Sequence, residues 1–103
     1  MHARTGKVLL VATLDTKGDE VAFLKEQLDK RGRSVCVMDV GTAGSPEFPG
    51  DVTREAVADR TTIPIDANGP AEALNAMAAA AAGIVNELFA AGEISAIAGV
   101  GGG

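Results

Sequence analysis

Apolar positions along this chain fall into three short unbroken runs, separated by stretches with helical spacing. Lys7-Val-Leu-Leu-Val-Ala-Thr13 is apolar without alternation, Arg33-Ser-Val-Cys-Val-Met-Asp-Val40 repeats the signal, and Ile94-Ser-Ala-Ile-Ala-Gly-Val100 gives it a third time. Such runs predict strands covered on both faces, as in a parallel sheet. From about Lys17 to Arg31 the spacing is that of an amphipathic helix, with Val21, Leu24 and Leu28 on one face and Glu20, Lys25, Glu26, Asp29 and Lys30 mostly away from it. Glu26 and Lys30 form an expected i,i+4 pair worth about 0.2–0.5 kcal/mol. Gly32 then supplies a stop signal before the second strand.

The segment Gly41-Thr-Ala-Gly-Ser-Pro-Glu-Phe-Pro-Gly50 holds three Gly and two Pro and is too long for a tight connection. Long loops in compact domains tend to carry function or mobility. Asp51 to Ala58 reads as a short helix, with Asp51 or Thr53 as its cap. Thr61-Thr-Ile-Pro-Ile-Asp66 leaves an edge strand and an extended loop both open. Asn68-Gly-Pro70 marks a turn. An alanine-rich helix follows from Pro70 to about Ala91, with Leu74, Met77, Ala81, Ile84, Val85 and Leu88 on one stripe. At 1.5 Å per residue it would run roughly 33 Å. Gly83 interrupts it at ~1 kcal/mol relative to Ala, a cost that close helix packing would explain. This alternation predicts an α/β fold, a Rossmann-like parallel sheet with flanking helices and right-handed crossovers. Residues 1–6 read as a disordered start without function. Residues 7–103 read as the amino-terminal part of a Rossmann-like nucleotide-binding domain, incomplete and cut inside its binding loop.

Composition narrows the partners. The 103 residues are 47% hydrophobic but only 3% aromatic, with no Trp or Tyr. That predicts packing through small aliphatic side chains and argues against aromatic platforms for single-stranded nucleic acid. The net charge of −5, with no Lys/Arg cluster, argues against any nucleic-acid partner. Cys36 is the single cysteine, so neither a disulfide nor a cysteine zinc site can form within the chain. It reads as a small buried thiol in a strand, in a reducing, cytoplasmic setting. No apolar run approaches the ~20 residues of a membrane span, and Met1 to Gly6 lacks a signal-peptide core, so no membrane partner is expected.

Ligands of open parallel sheets bind outside the carboxyl ends of the strands. The three strand ends deliver Thr13-Leu-Asp-Thr-Lys-Gly18, Asp39-Val-Gly-Thr-Ala-Gly44 and Gly99-Val-Gly-Gly-Gly103. All are small, polar or glycine-rich, as close contact with phosphate requires. Thr13, Thr16 and Thr42 offer hydroxyls, Lys17 a charge at a helix start, and Asp15 a carboxylate for a ribose or a metal-bound water. Plainer readings stand beside these. Asp15 and Thr16 equally suit helix caps, Gly41 and Gly44 ordinary turns, and Lys17 a solvated lysine. Asp39 reads as a solvent-facing strand end rather than a ribose contact. Gly99, Gly101, Gly102 and Gly103 are harder to place structurally, because such a cluster weakens a fold unless backbone must approach something. Their N–H groups suit a phosphate. No P-loop pattern is present, and only Gly18 follows the first strand, so the dinucleotide fingerprint is absent there. His2 is the only histidine, which removes Ser-His-Asp, Cys-His and HExxH chemistry. No catalytic residue and no metal set is assigned.

Three runs together resemble a known family: Val8-Leu-Leu-Val-Ala-Thr-Leu-Asp-Thr-Lys-Gly-Asp-Glu20, Val40-Gly-Thr-Ala-Gly-Ser-Pro-Glu-Phe-Pro-Gly-Asp-Val52 and Gly99-Val-Gly-Gly-Gly103. In order and spacing they are similar to the amino-terminal region of the Tm-one-like ATP-binding domain family, named for the tomato mosaic virus resistance protein. The resemblance implies a much longer protein with a Rossmann-like segment, a further α/β portion and often a barrel-type domain. It also implies ATP binding and, in the resistance protein, an inhibitory contact with viral replication proteins. By position Asp15, Thr16 and Lys17 match the first run, Gly41 and Thr42 the second, and Gly99, Gly101 and Gly102 the glycine loop. The family often has serine where Gly103 stands, which leaves only backbone donors there. The expected function is therefore a cytoplasmic ATP-binding module of a larger protein, with or without Mg2+. Its phosphates would rest on Gly99 to Gly103, with Asp15–Lys17 and Gly41–Thr42 closing from the sides. Two alternatives remain: part of an enzyme acting on a small phosphorylated or carboxylated metabolite, or an assembly domain whose alanine-rich helix meets a second copy or another protein.

Overall fold

The computed structural model describes residues 6–61 and 69–101. In chain order its elements are β1 (Lys7–Ala12), α1 (Leu14–Lys30), β2 (Val35–Asp39), α2 (Arg54–Ala58), α3 (Gly69–Ala90) and β3 (Ile94–Val100). The strands form one parallel sheet in the order β2-β1-β3. Both faces of central β1 are covered, which is why its apolar run does not alternate. Val8, Leu10 and Ala12 pack with Leu14, Val21 and Val37 on the α1 side. Leu9 meets Met38, Val57, Met77 and Ile84 on the α2/α3 side, with Val11 packed against the same cluster. Each fully buried leucine of this kind contributes about 1.5–3 kcal/mol. The fold is the expected α/β arrangement.

Ala12 lies opposite both Asp39 and Val100, so the carboxyl ends of all three strands share one rim. The register reaches that point through a bulge: Lys7 pairs with Ile94 and Val8 with Ala96, skipping Ser95. The outer edge of β2 is covered by the chain itself. Val52 donates to the Val37 carbonyl and accepts from the Asp39 N–H, both at 3.0 Å, a common way to blunt a sheet edge.

Several local expectations are refined. Helix α1 starts at Leu14, but Lys17 has non-helical angles (φ −121°, ψ 19°). The Leu14–Thr16 turn is therefore set off from the long helix by a kink. The exposed i,i+4 ion pair is Lys25–Asp29 at 3.2 Å, in place of Glu26–Lys30. Thr53 is the cap of α2, its Oγ1 accepting from the Ala56 N–H at 3.2 Å. Asp51 instead accepts from the Val37 N–H at 2.7 Å and ties the returning loop to β2.

On α3 the docked stripe is Ala73, Met77, Ala80, Ala81 and Ile84. Leu74, expected in it, is 50% exposed. It sits ~100° around the helix from Ala73, and alanines rather than the larger side chain face the sheet. A Cβ on Gly83 would meet nothing within 4 Å, so close packing does not account for this glycine, and nothing in the structure explains it. By length and composition Ala71–Ala90 is apolar enough to cross a bilayer, contrary to the expectation that no run is. Alanine supplies most of that hydropathy, and one face of the helix is part of the core. A bidentate pair at 2.7 Å joins Arg60, just after α2, to Glu87 of α3. The hydrogen bonds from Arg60 hold the Glu87 carboxyl below its ordinary range.

Cys36 is half-buried rather than buried. It borders a hollow of about 260 Å3 at the opposite, amino-end rim, with Lys7, Leu88 and Glu93. Burial first, and the Asp51 charge second, push its thiol above the usual range. His2, residues 62–66 of the uncertain segment and the Asn68 turn position lie outside the described residues.

Candidate functional site

From β1 the chain crosses to β2 on one side and then returns past β1 to β3 on the other. That reversal creates a crevice between the carboxyl ends of β1 and β3, the switch point where doubly wound sheets bind ligands. One wall is Thr13 to Lys17 and the other is the Gly99–Gly101 end of β3, with the Gly41–Gly44 loop one strand away.

Among the described residues, the most densely hydrogen-bonded part of the rim is an ionic lock after β2. Asp39 was expected to face solvent. It is 1% exposed and fully engaged inward. Its Oδ1 accepts from the N–H groups of Leu14 (3.1 Å) and Gly41 (2.8 Å). Its Oδ2 accepts from Arg54 Nε at 2.8 Å. Arg54 Nη1 donates to the carbonyls of Ala43 and Gly44, both at 2.6 Å, and Nη2 lies 3.9 Å from Asp15 Oδ1. Asp15 Oδ2 accepts from the Ala43 N–H at 3.1 Å, while Oδ1 is buried without a hydrogen-bond partner. A single guanidinium thus joins the end of β2, the first turn of α1 and the loop between them. Burying two carboxylates is costly unless cations and N–H groups compensate them, and here both kinds do.

These contacts decide several open readings. The first N–H of α1 is capped by Asp39, not by Asp15 or Thr16. Thr16 Oγ1 pairs with Thr13 Oγ1, and Thr13 at the cap position makes no capping bond. Asp15 turns toward the guanidinium and the Ala43 N–H rather than capping α1. Gly41 has a packing reason, because a Cβ there would lie 2.5 Å from Arg54 Nη2 and 2.9 Å from Asp15 Oδ1. Arg54 was missed by sequence reasoning. The available signal was its position as the first residue of α2, where the helix dipole disfavours a cation unless something else holds it.

The remaining expected residues lie on the rim with freer surroundings. Thr42 and Thr16 are exposed, and Lys17 is half-buried with no ion pair among the described residues. Gly99 and Gly101 are exposed, have no positive φ, and have no atom within 4 Å of a would-be Cβ. Gly102 and Gly103 lie outside the described residues. Among the described residues no three metal-ligating side chains come together. A hollow of about 160 Å3 opens beside the lock at the end of β2. A larger one of about 490 Å3 lies away from the rim, on the outer surface of α1 against Phe48, lined by Lys25, Glu26, Asp29 and Lys30.

Among known proteins, the chain is 29% identical over 105 aligned residues to a UPF0261 protein of Brucella suis biovar 1, covering 98% of this chain and 25% of that protein. It is 28% identical, with the same coverage, to one from Brucella melitensis biotype 1. A UPF0261 protein of Clostridium tetani is 36% identical over 52 residues, which is 50% of this chain and 13% of that protein. The chain thus spans about a quarter of the length of the first two relatives. No solved structure matches it. The resemblance to the Tm-one-like ATP-binding domain family is corrected by these findings. That resemblance rested on three separate runs, Val8 to Glu20, Val40 to Val52 and Gly99 to Gly103, whereas the match below extends through the intervening residues as well. Residues 6–103 match the description "Uncharacterised protein family (UPF0261) N-terminal domain", and the chain belongs to that family.

Proposed function

We propose that this domain binds a nucleotide, ATP foremost, in the crevice between the ends of β1 and β3, as part of a larger cytoplasmic protein. The phosphates would lie on the backbone of Gly99 to Gly103, with Thr13 to Lys17 opposite and the Gly41–Thr42 loop at the side. The supporting observation is the contrast among glycines. At Gly6, Gly18, Gly41 and Gly50 a Cβ would collide with neighbouring atoms, so the fold itself requires them. Gly99 and Gly101 have ordinary φ, and among the described residues nothing lies within 4 Å of a would-be Cβ at either. Glycine in a strand costs about 0.5–1 kcal/mol relative to Ala, and close approach of backbone to a ligand is the use that offsets it. Any Mg2+ would arrive with the phosphates, as is usual for that ion, rather than in a protein carboxylate cage.

The test is titration of a fluorescent ATP analogue against the full-length protein and its Gly101→Val variant. The added side chain has room in the fold, so the variant should melt with the wild type and bind at least about tenfold more weakly, a loss of ~1.4 kcal/mol. Equal affinities would remove the glycine-loop assignment.

One observation favours a second reading, an assembly role for α3. Beside its docked stripe, Leu74 and Phe89 are 50% and 43% exposed, and a helix apolar most of the way round is ordinarily covered on more than one side. Light scattering showing a strictly monomeric full-length protein would count against it.

A further inference from the structure

In dinucleotide-binding sheets, an acid near the end of β2 reads the ribose hydroxyls. The acid standing there, Asp39, cannot do so: one oxygen already takes two backbone N–H groups and the other takes Arg54. Beside it opens the 160 Å3 hollow, lined by Gly41, Thr42, Arg54, Glu55, Ala58 and Met77. That is below the ~300 Å3 of a pocket for a whole small ligand, so it suits one moiety of a larger one.

Its electrostatics exclude the phosphate end. The Arg54 guanidinium is committed to Asp39 and to the Ala43 and Gly44 carbonyls, with Asp15 also beside it. Glu55 has no hydrogen-bond or ion-pair partner through its side chain among the described residues. With Asp15, Asp39 and Glu55 around one guanidinium, negative charge is in excess, which repels phosphate and attracts hydroxyl donors. Met77 and Ala58 supply an apolar floor for the carbon face of a ring, and Thr42 a hydroxyl at the edge.

We infer that this hollow is the sugar subsite of the nucleotide site, with Glu55 rather than Asp39 accepting hydrogen bonds from the ribose hydroxyls. The inference rests on the nucleotide reading and deepens it. It orients the ligand, phosphates toward β3 and sugar toward β2.

The experiment is calorimetric titration of full-length protein with ATP and with 2′,3′-dideoxy-ATP, using wild type, Glu55→Gln and Glu55→Ala. Wild type should prefer ATP by about tenfold or more, the effect of one charge-assisted hydrogen bond. Glu55→Ala should bind both ligands alike, at the wild-type dideoxy level, with a nearly unchanged melt, because Glu55 is exposed and has no side-chain partner among the described residues. Glu55→Gln, keeping a neutral acceptor, should fall between. If wild type binds both ligands equally, or Glu55→Ala keeps the preference, the sugar subsite is wrong while the nucleotide site stands. A gain in affinity of Glu55→Ala for both ligands would mark the hollow as phosphate-facing and also overturn it. If wild type binds neither ligand, the nucleotide reading fails and the subsite with it.

Discussion

Replacing Arg54 with Met keeps the side chain's length and removes its five donors. The Arg54 side chain is 14% exposed and that of Asp39 2%, so the pair at 2.8 Å is largely shielded from water. Removing one partner of a buried pair typically costs about 3–5 kcal/mol, because the other charge is left uncompensated. Here Asp39 keeps its two N–H donors, Leu14 and Gly41, which favours the low end. The Ala43 and Gly44 carbonyls are on exposed loop backbone and can turn to water. The expected loss is therefore about 3 kcal/mol, a large part of the ~5–15 kcal/mol that holds a typical domain. Hydrogen exchange by mass spectrometry on the full-length protein reads it locally. Peptides carrying the amides of Leu14, Gly41 and Ala43 should exchange about 100-fold faster, at 1.4 kcal/mol per tenfold. Arg54→Lys restores a charge beside Asp39 but not the fork that reaches both loop carbonyls, so its protection should recover only in part. Adding Asp39→Asn to Arg54→Met removes the stranded charge and should recover more. Unchanged exchange of these three amides in Arg54→Met, with an unchanged melt, would refute the lock as a structural element.

Two further outcomes follow from contacts described above. Gly41→Ala should destabilise and loosen the same peptides, because its methyl would lie 2.5 Å from Arg54 Nη2, whereas Gly99→Ala should be neutral or stabilising by up to ~1 kcal/mol; thermal melts of the two variants compare them directly. For Cys36 the raised thiol pKa means that the fold favours the neutral form, so the reactive thiolate appears only as pH rises beyond the ordinary thiol range. Its iodoacetamide alkylation at pH 8 should be slower than that of a free cysteine peptide, and a rate equal to the peptide's would contradict the burial and Asp51 effects.

The fold was legible because its strands are unbroken apolar runs, and a chain that alternates such runs with helical spacing has few ways to bury them. Side-chain placement on α3 was less legible. Leu74 outranks Ala73 on any hydrophobicity scale, yet the sheet accepts Ala73, Ala80 and Ala81 and leaves Leu74 outside. In an alanine-rich helix several stripes are nearly as apolar as one another. Which one docks is then set by the narrow gap over the sheet, and the sequence carries little of that information. The same ambiguity explains why the span Ala71–Ala90 passes for a membrane helix.

The rim shows a sharper limit. Asp15, Asp39, Gly41 and Gly99 all stood at strand ends in the sequence, and register does bring those ends together. What sequence could not separate was which groups the fold uses up internally. Asp39 and Asp15 point inward because Arg54, fifteen residues beyond Asp39, returns over them once the loop turns back and Val52 pairs with β2. Gly41 is needed because that guanidinium passes against it, while a Cβ on Gly99, the same residue type, would meet no atom within 4 Å. Polar groups and glycines already accounted for by the fold are poor candidates for ligand contact without rearrangement. Those left over among the described residues, Lys17, Thr42, Glu55, Gly99 and Gly101, are the ones on which the proposed phosphate and sugar contacts would draw.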